Sequence, residues 1–148
     1  MILSIDVGTR NLGWCTWDGK CVDFGIIDLM ALKKGTDYAA KVKRLHESGF
    51  FDNADTILCE IQMRSCMKTI ATAIRCLEWD KTVRVAPQRI KRHFASATGK
   101  HRSNKKAAVA IAQRYLTGAL LDKFMKLKKK DDVADAILQC VWYTSQKK

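Results

Sequence analysis

Residues 1–14, MILSIDVGTRNLGW, decide how this chain folds. Positions 1–5 form a short apolar run with β-branched Ile2 and Ile5, which reads as a buried strand. The run ends in a carboxylate, Asp6, and Gly8-Thr9-Arg10-Asn11 then turns the chain. Gly13 and Trp14 open a second apolar segment running back. A strand-end aspartate before a glycine is ordinarily a turn residue. Planted on a rigid strand, it can also meet a metal or a phosphate. The rest of the chain has to choose.

Working outward, residues 11–17 (NLGWCTW) and 20–28 (KCVDFGIID) read as two further strands. Asp18-Gly19 between them signals a two-residue hairpin turn, so three strands form a meander. Thr36 is placed to cap a helix over 37–48, with Tyr38, Val42 and Leu45 on one face and Gly49 as its stop. Residues 55–61 (DTILCEI) predict a central parallel strand, buried on both faces and ending in Glu60. The spacing of Met67, Ile70, Ala71, Ile74 and Leu77 predicts a helix over 64–79. Residues 82–86 (TVRVA) form a short strand closed by the only proline, Pro87. A polar, basic passage over 88–106 leads into a helix to about Tyr115. Residues 123–130 are lysine-dense, and Asp131 or Asp132 caps a last helix to about Ser145. The expected order is βββαβαβαα: one α/β domain over 1–148, a mixed five-stranded sheet with helices on both faces in three layers.

Composition narrows the function. The chain has 148 residues, 47% hydrophobic, enough for a core, and no repeat or low-complexity tract. No apolar run approaches a membrane span, and Asp6 and Arg10 interrupt any signal-like N-terminus. The expected setting is a reducing, cytoplasmic one. The six cysteines fit it, lying inside apolar patterns such as ILCEI and AILQCVW with no CxxC pair. The formal net charge is +12, and a pI near 9.6 implies a polyanionic partner. Nucleic acid fits best, because no basic amphipathic helix supports a membrane surface.

Four carboxylates carry the chemistry. Asp6 and Glu60 each end an apolar strand, so both can emerge at one end of the sheet. Asp132 and Asp135 share a flank of the last helix at i, i+3, although Asp131 and Asp135 at i, i+4 do so equally well. Such a set matches a two-metal phosphodiester site, where two Mg²⁺ ions roughly 3.5–4 Å apart need several oxygen ligands. Around it, Lys91, Arg92, Lys100, Arg102, Lys105 and Lys106 fall within sixteen residues, interleaved with His93 and His101. That run contains Gly99 and leads into a helix start at Ser103, a phosphate cradle. Neutralising about six phosphates predicts a log–log salt slope near −5. Lys126–Lys130 read equally well as a solvated face or as part of this basic surface.

Taken in order, IDVGTRNLGW, ILCEIQ, a GK…NKK helix start and DDVADAILQ resemble the RuvC-type Holliday-junction resolvases. These are RNase H-like nucleases, and the poxvirus branch is the most similar in size and motifs. The resemblance covers nearly the whole chain. It implies an RNase H-like nuclease domain with Asp6, Glu60, Asp132 and Asp135 as the catalytic, metal-binding set, and it favours Asp132 over Asp131. It further implies two Mg²⁺ ions per site, with Mn²⁺ able to substitute, and no nucleotide cofactor. The implied partner is a four-way DNA junction, cut by a homodimer in recombination and in resolving viral concatemers in the infected cytoplasm. Symmetry argues for the dimer independently, since paired nicks in a pseudo-twofold junction need two sites about a twofold axis. Met67, Ile70 and Ile74 are the candidate interface, or else ordinary core. An important lysine of the family falls on Lys106 when NKKAAV is matched, with Arg102 and Lys105 as the other candidates. Other readings are a YqgF-like RNA-processing nuclease, a catalytically silent nucleic-acid-binding module, and an actin-like ATP-binding protein. The last needs two duplicated halves and a far longer chain.

Overall fold

Strands β1 (Ile2–Asp6), β2 (Leu12–Trp17) and β3 (Cys21–Ile27) form the expected antiparallel meander. They are followed by α1 (Tyr38–Glu47), β4 (Thr56–Glu60), α2 (Ser65–Leu77) and β5 (Thr82–Val85). Four helices complete the chain: α3 (Pro87–Thr98), α4 (Asn104–Gln113), α5 (Gly118–Met125) and α6 (Lys130–Ser145). This computed structural model describes residues 1–32, 37–98 and 104–148. The sheet order is β3-β2-β1-β4-β5, with β4 and β5 parallel to β1. Both strand-end carboxylates therefore leave neighbouring strands at the same edge.

Alternation along the strands divides the core into two layers. Leu3 and Ile5 of β1, with Ile57 and Cys59 of β4, pack with Val42 and Leu45 of α1 and with Ile70 and Ile74 of α2. Leu58 of β4 and Cys15 and Phe24 of the meander pack instead with α3, α4, α5 and α6. Helix α6 is buried nearly all round and lies across β1, β2 and β3, with α4 packed on it. Gln139 of α6 donates from Nε2 to the Ile5 carbonyl oxygen at 3.1 Å, tying the helix to β1 one residue before Asp6.

Several expectations need correction. The passage after Pro87 is a helix, because proline suits the first helical position and Ile90 and Phe94 bury one i, i+4 stripe. Helix α5 is hidden among lysines in the sequence, yet it buries Phe124 completely. The β2–β3 link has three residues rather than two, since Trp17 pairs with Cys21 beyond a register shift. Gly19 takes φ 70° in that turn. Asp37, not Thr36, caps α1 by accepting from the Ala40 N–H at 3.1 Å, and Thr36 lies outside the described residues. Neither Asp131 nor Asp132 caps α6; both lie in its first turn, after Lys129. Of the candidate interface residues, Ile70 and Ile74 are 0% exposed and fill the core of this chain, while Met67 is half-buried. The six cysteines are all free, four of them buried, while Cys66 is half-buried and Cys76 exposed. Among the described residues no helix is long and apolar enough to cross a membrane.

Candidate active site

Asp6 closes β1 opposite Gly13 of β2. Asp132 reaches the same corner from the first turn of α6. What brings them together is the missing side chain at Gly13: a Cβ there would lie 2.4 Å from the Asp132 carbonyl oxygen and 3.0 Å from its Cβ. Only a glycine lets α6 descend that far onto β2. Glu60 closes β4, the neighbour of β1, and Asp135 follows Asp132 after one turn.

The four carboxylates share one electrostatic neighbourhood. Burial pushes the Asp6 carboxyl well above the usual carboxylate range, and Asp135, Asp132, Glu60 and Asp131 push it further. Asp135 is raised to about 7, first by burial and then by Glu60, Asp131 and Asp132, with Lys105 opposing. Burial also raises Glu60, against the pull of Lys91. Asp132 rises through burial and Asp131, against Lys129, Lys105 and a hydrogen bond with Asp6. A buried corner of like charges either takes up protons or needs a cation.

Asp131 and Asp132 now differ plainly. Asp131 is ion-paired to Lys105 at 3.5 Å and to Lys129 at 3.6 Å. Asp132 carries a buried Oδ2 with no hydrogen-bond partner, which is a cost unless something binds there. The all-oxygen donor set suits a hard divalent cation. Among the described residues no group of three or more such side chains is placed to hold an ion as it stands. The orphaned oxygen together with the raised carboxyls suits the site to a hard divalent cation.

The cations divide by position. A cavity of about 240 Å³ is lined by Glu60, Pro87, Ile90, Lys91, Lys105 and Asp135, so two lysines face two of the acids across one space. A second hollow of about 430 Å³, between α4 and the start of α6, is lined by Lys105, Lys106, Lys129 and Asp131 among others. Lys105 thus borders both, whereas Lys106 borders only the outer one. Arg92 is exposed on α3. Lys100, Arg102, His101, Gly99 and Ser103 lie outside the described residues. Sequence reasoning missed the role of Gly13 and the closeness of Lys91 to Glu60. Once Pro87 is read as a helix start, Lys91 falls one turn into α3, where that closeness has a signal.

Solved structures share this architecture. The chain is similar to fowlpox virus resolvase in complex with Holliday junction DNA, at 20% identity over 99% of both chains with a TM-score of 0.71. It is similar to the fowlpox virus Holliday junction resolvase at 19% identity over 98% of both, TM-score 0.70. It also resembles T. thermophilus RuvC in complex with a Holliday junction substrate, at 13% identity over 98% of this chain and 94% of that one, TM-score 0.63. The fold is therefore the RuvC-type, RNase H-like α/β fold. No curated protein matches the chain. The family model described as Poxvirus A22 protein matches residues 1–147, and the chain belongs to that family.

Proposed function

We propose that this chain is a metal-dependent, structure-specific endonuclease that resolves four-way (Holliday) DNA junctions by paired symmetric nicks. Its setting would be recombination and the resolution of viral replication concatemers. One observation supports the reading: Asp6, Glu60, Asp132 and Asp135 share one electrostatic neighbourhood at one end of the sheet, in a fold shared with resolvases solved on junction DNA.

In this reading the four carboxylates hold two Mg²⁺ ions, with Mn²⁺ able to substitute. Such ions, when bound, would supply positive charge to the scissile phosphate and lower the pKa of water so that hydroxide is available as the nucleophile. Asp6 and Glu60, on β-strands, set the fixed side of the site, and α6 sets Asp132 and Asp135 against them. Lys91 and Lys105, bordering the same cavity, hold the scissile phosphate as point charges. Lys106, Arg92, Lys100 and Arg102 contribute to backbone binding, which is read by shape rather than by base edges. Two chains about a twofold axis supply the two nicks. The six free thiols suit a reducing cytoplasm, here that of an infected cell.

The test uses a labelled four-way junction with Mg²⁺, with linear duplex and Asp6→Asn as controls. The expected result is symmetric 5′-phosphate nicks on the junction, and a loss of at least about 100-fold in Asp6→Asn, in line with removal of one charged catalytic group. Equal cutting of duplex, or undiminished nicking by Asp6→Asn, would contradict it.

A further inference from the structure

A cleft of about 170 Å³ opens on the other layer of the molecule, between α2 and the β4–β5 edge. Its walls are the end of β4 and the loop after it (Cys59, Glu60, Ile61 and Gln62), α2, and β5. Lys68, Thr72 and Arg75 succeed one another at i, i+4 and i+7 along α2, forming one stripe that faces the cleft. Thr82 and Arg84 alternate along β5, so they share one sheet face. Parallel pairing sets Arg84 opposite Cys59, the residue before Glu60. Because β5 ends the sheet, the cleft opens to solvent at a free edge.

The charges lining this cleft are unbalanced. Lys123 is held by Asp23 at 2.6 Å, Lys81 by Glu78 at 3.5 Å, and Lys105 by Asp131 at 3.5 Å. Among the described residues Lys68, Arg75 and Arg84 make no ion pair. The only acid among the described lining residues is Glu60. The Arg75 Cζ lies over the exposed Trp79 ring, 4.6 Å from its centroid, a cation–π contact that leaves its N–H groups without an acidic partner. Two guanidiniums, one ammonium and the Thr72 hydroxyl line a space that accommodates a phosphate group, while Thr82 Oγ1 and Gln62 Nε2 already donate to the Glu78 and Glu60 carbonyl oxygens.

We infer that this cleft is a second phosphate site, taking a backbone phosphate of the nucleic-acid strand that passes over Glu60. It lies on the far side of Glu60 from Lys91 and Lys105, so the strand is gripped on both sides of the reacting position. The identity of the anion as nucleic acid rests on the nuclease reading; the existence of an anion site does not.

The experiment compares the wild-type full chain with the double variant Lys68→Gln/Arg84→Gln and with the charge-conserving Lys68→Arg/Arg84→Lys. Junction affinity is measured by anisotropy in metal-free buffer across a salt series. The neutral variant should bind about 10-fold more weakly or worse at 0.1 M salt, with a slope shallower by roughly 1–2, while the charge-conserving variant keeps the slope. In parallel, inorganic pyrophosphate should shift the backbone amide resonances of Thr82 and Arg84 in the wild type and not in the neutral variant. An unchanged slope together with no pyrophosphate response would mean a merely solvated basic face and would overturn the inference. Pyrophosphate binding with no change in junction slope would likewise overturn the strand assignment. An active Asp6→Asn enzyme would sink the nuclease reading while leaving an observed pyrophosphate site standing, so the two failures are distinguishable.

Discussion

The four carboxylates of this chain stand on its most buried elements, whereas its unpaired cations stand on exposed helix faces and on the free edge of the sheet. Asp6 and Glu60 end strands whose three preceding residues are buried, and Asp132 and Asp135 begin a helix buried almost all round. Lys91, Arg92, Lys106, Lys68 and Arg84 are exposed, and among the described residues they make no ion pair. On the proposed function, the difference follows from what each set would have to do. Buried like charges raise their own pKa values, so only a rigid core holds them close enough to grip a cation. Cations that meet a polyanion gain nothing from burial, and keep their range by staying in water.

The sharpest way to break this contrast is to disturb the core beneath the acids without touching an acid. Gly13→Ala drives a methyl against the Asp132 backbone, so junction nicking should fall by about 100-fold, with a loss of about 1–3 kcal/mol from overpacking. Gly25→Ala is the matched control. Its methyl would meet the Trp14 ring at 2.9 Å rather than a site residue, so it should lose stability and keep most of its rate. Denaturant melts alongside nicking rates check this pair, and equal rate losses would show that Gly13 has no special hold on the site.

A smaller effect separates the lysines. Lys105→Ala should slow single-turnover nicking by about 10-fold, in line with losing one positioned charge at the phosphate. Lys106→Ala should chiefly weaken binding, flattening the salt slope by about 0.9. A larger rate loss at Lys106 than at Lys105 would reverse the reading of which lysine borders the acids.

Much of the acidic site was legible because its signals are local. A carboxylate that ends an apolar run, and two others spaced along a helix, announce their direction through strand and helix periodicity alone. The order of the strands along the chain and the layering follow in the same way. Asp131 and Asp132 could not be separated by spacing, since the distinction lies in two lysines that reach Asp131 and in burial that isolates the Asp132 Oδ2. Helix α3 was obscured because Pro87 reads equally as a strand's end and a helix's start, and only Ile90 and Phe94 mark its buried side. The Gly13–Asp132 approach joins residues far apart in the chain, so no local pattern carries it. The cleft beside Glu60 likewise exists only once α2 is laid against β5.

The central claim is that the carboxylates form one cation site, and their protonation tests it most directly. Their folded-state pKa values are raised, so between about pH 4 and the value near 7 of Asp135 the folded chain holds more protons than the unfolded one. That stabilisation is present at low pH and is lost as pH rises through this window, each tenfold difference in proton affinity between the two states contributing about 1.4 kcal/mol. A divalent ion takes the place of the protons. Thermal unfolding should be followed from pH 5 to 8, with and without Mg²⁺, in the wild type and in Asp135→Asn. The account predicts that wild-type stability without metal falls toward pH 8 relative to Asp135→Asn, and that Mg²⁺ stabilises the wild type more at pH 8 than at pH 5. A Mg²⁺ effect that is absent, independent of pH, or undiminished in Asp135→Asn would contradict it.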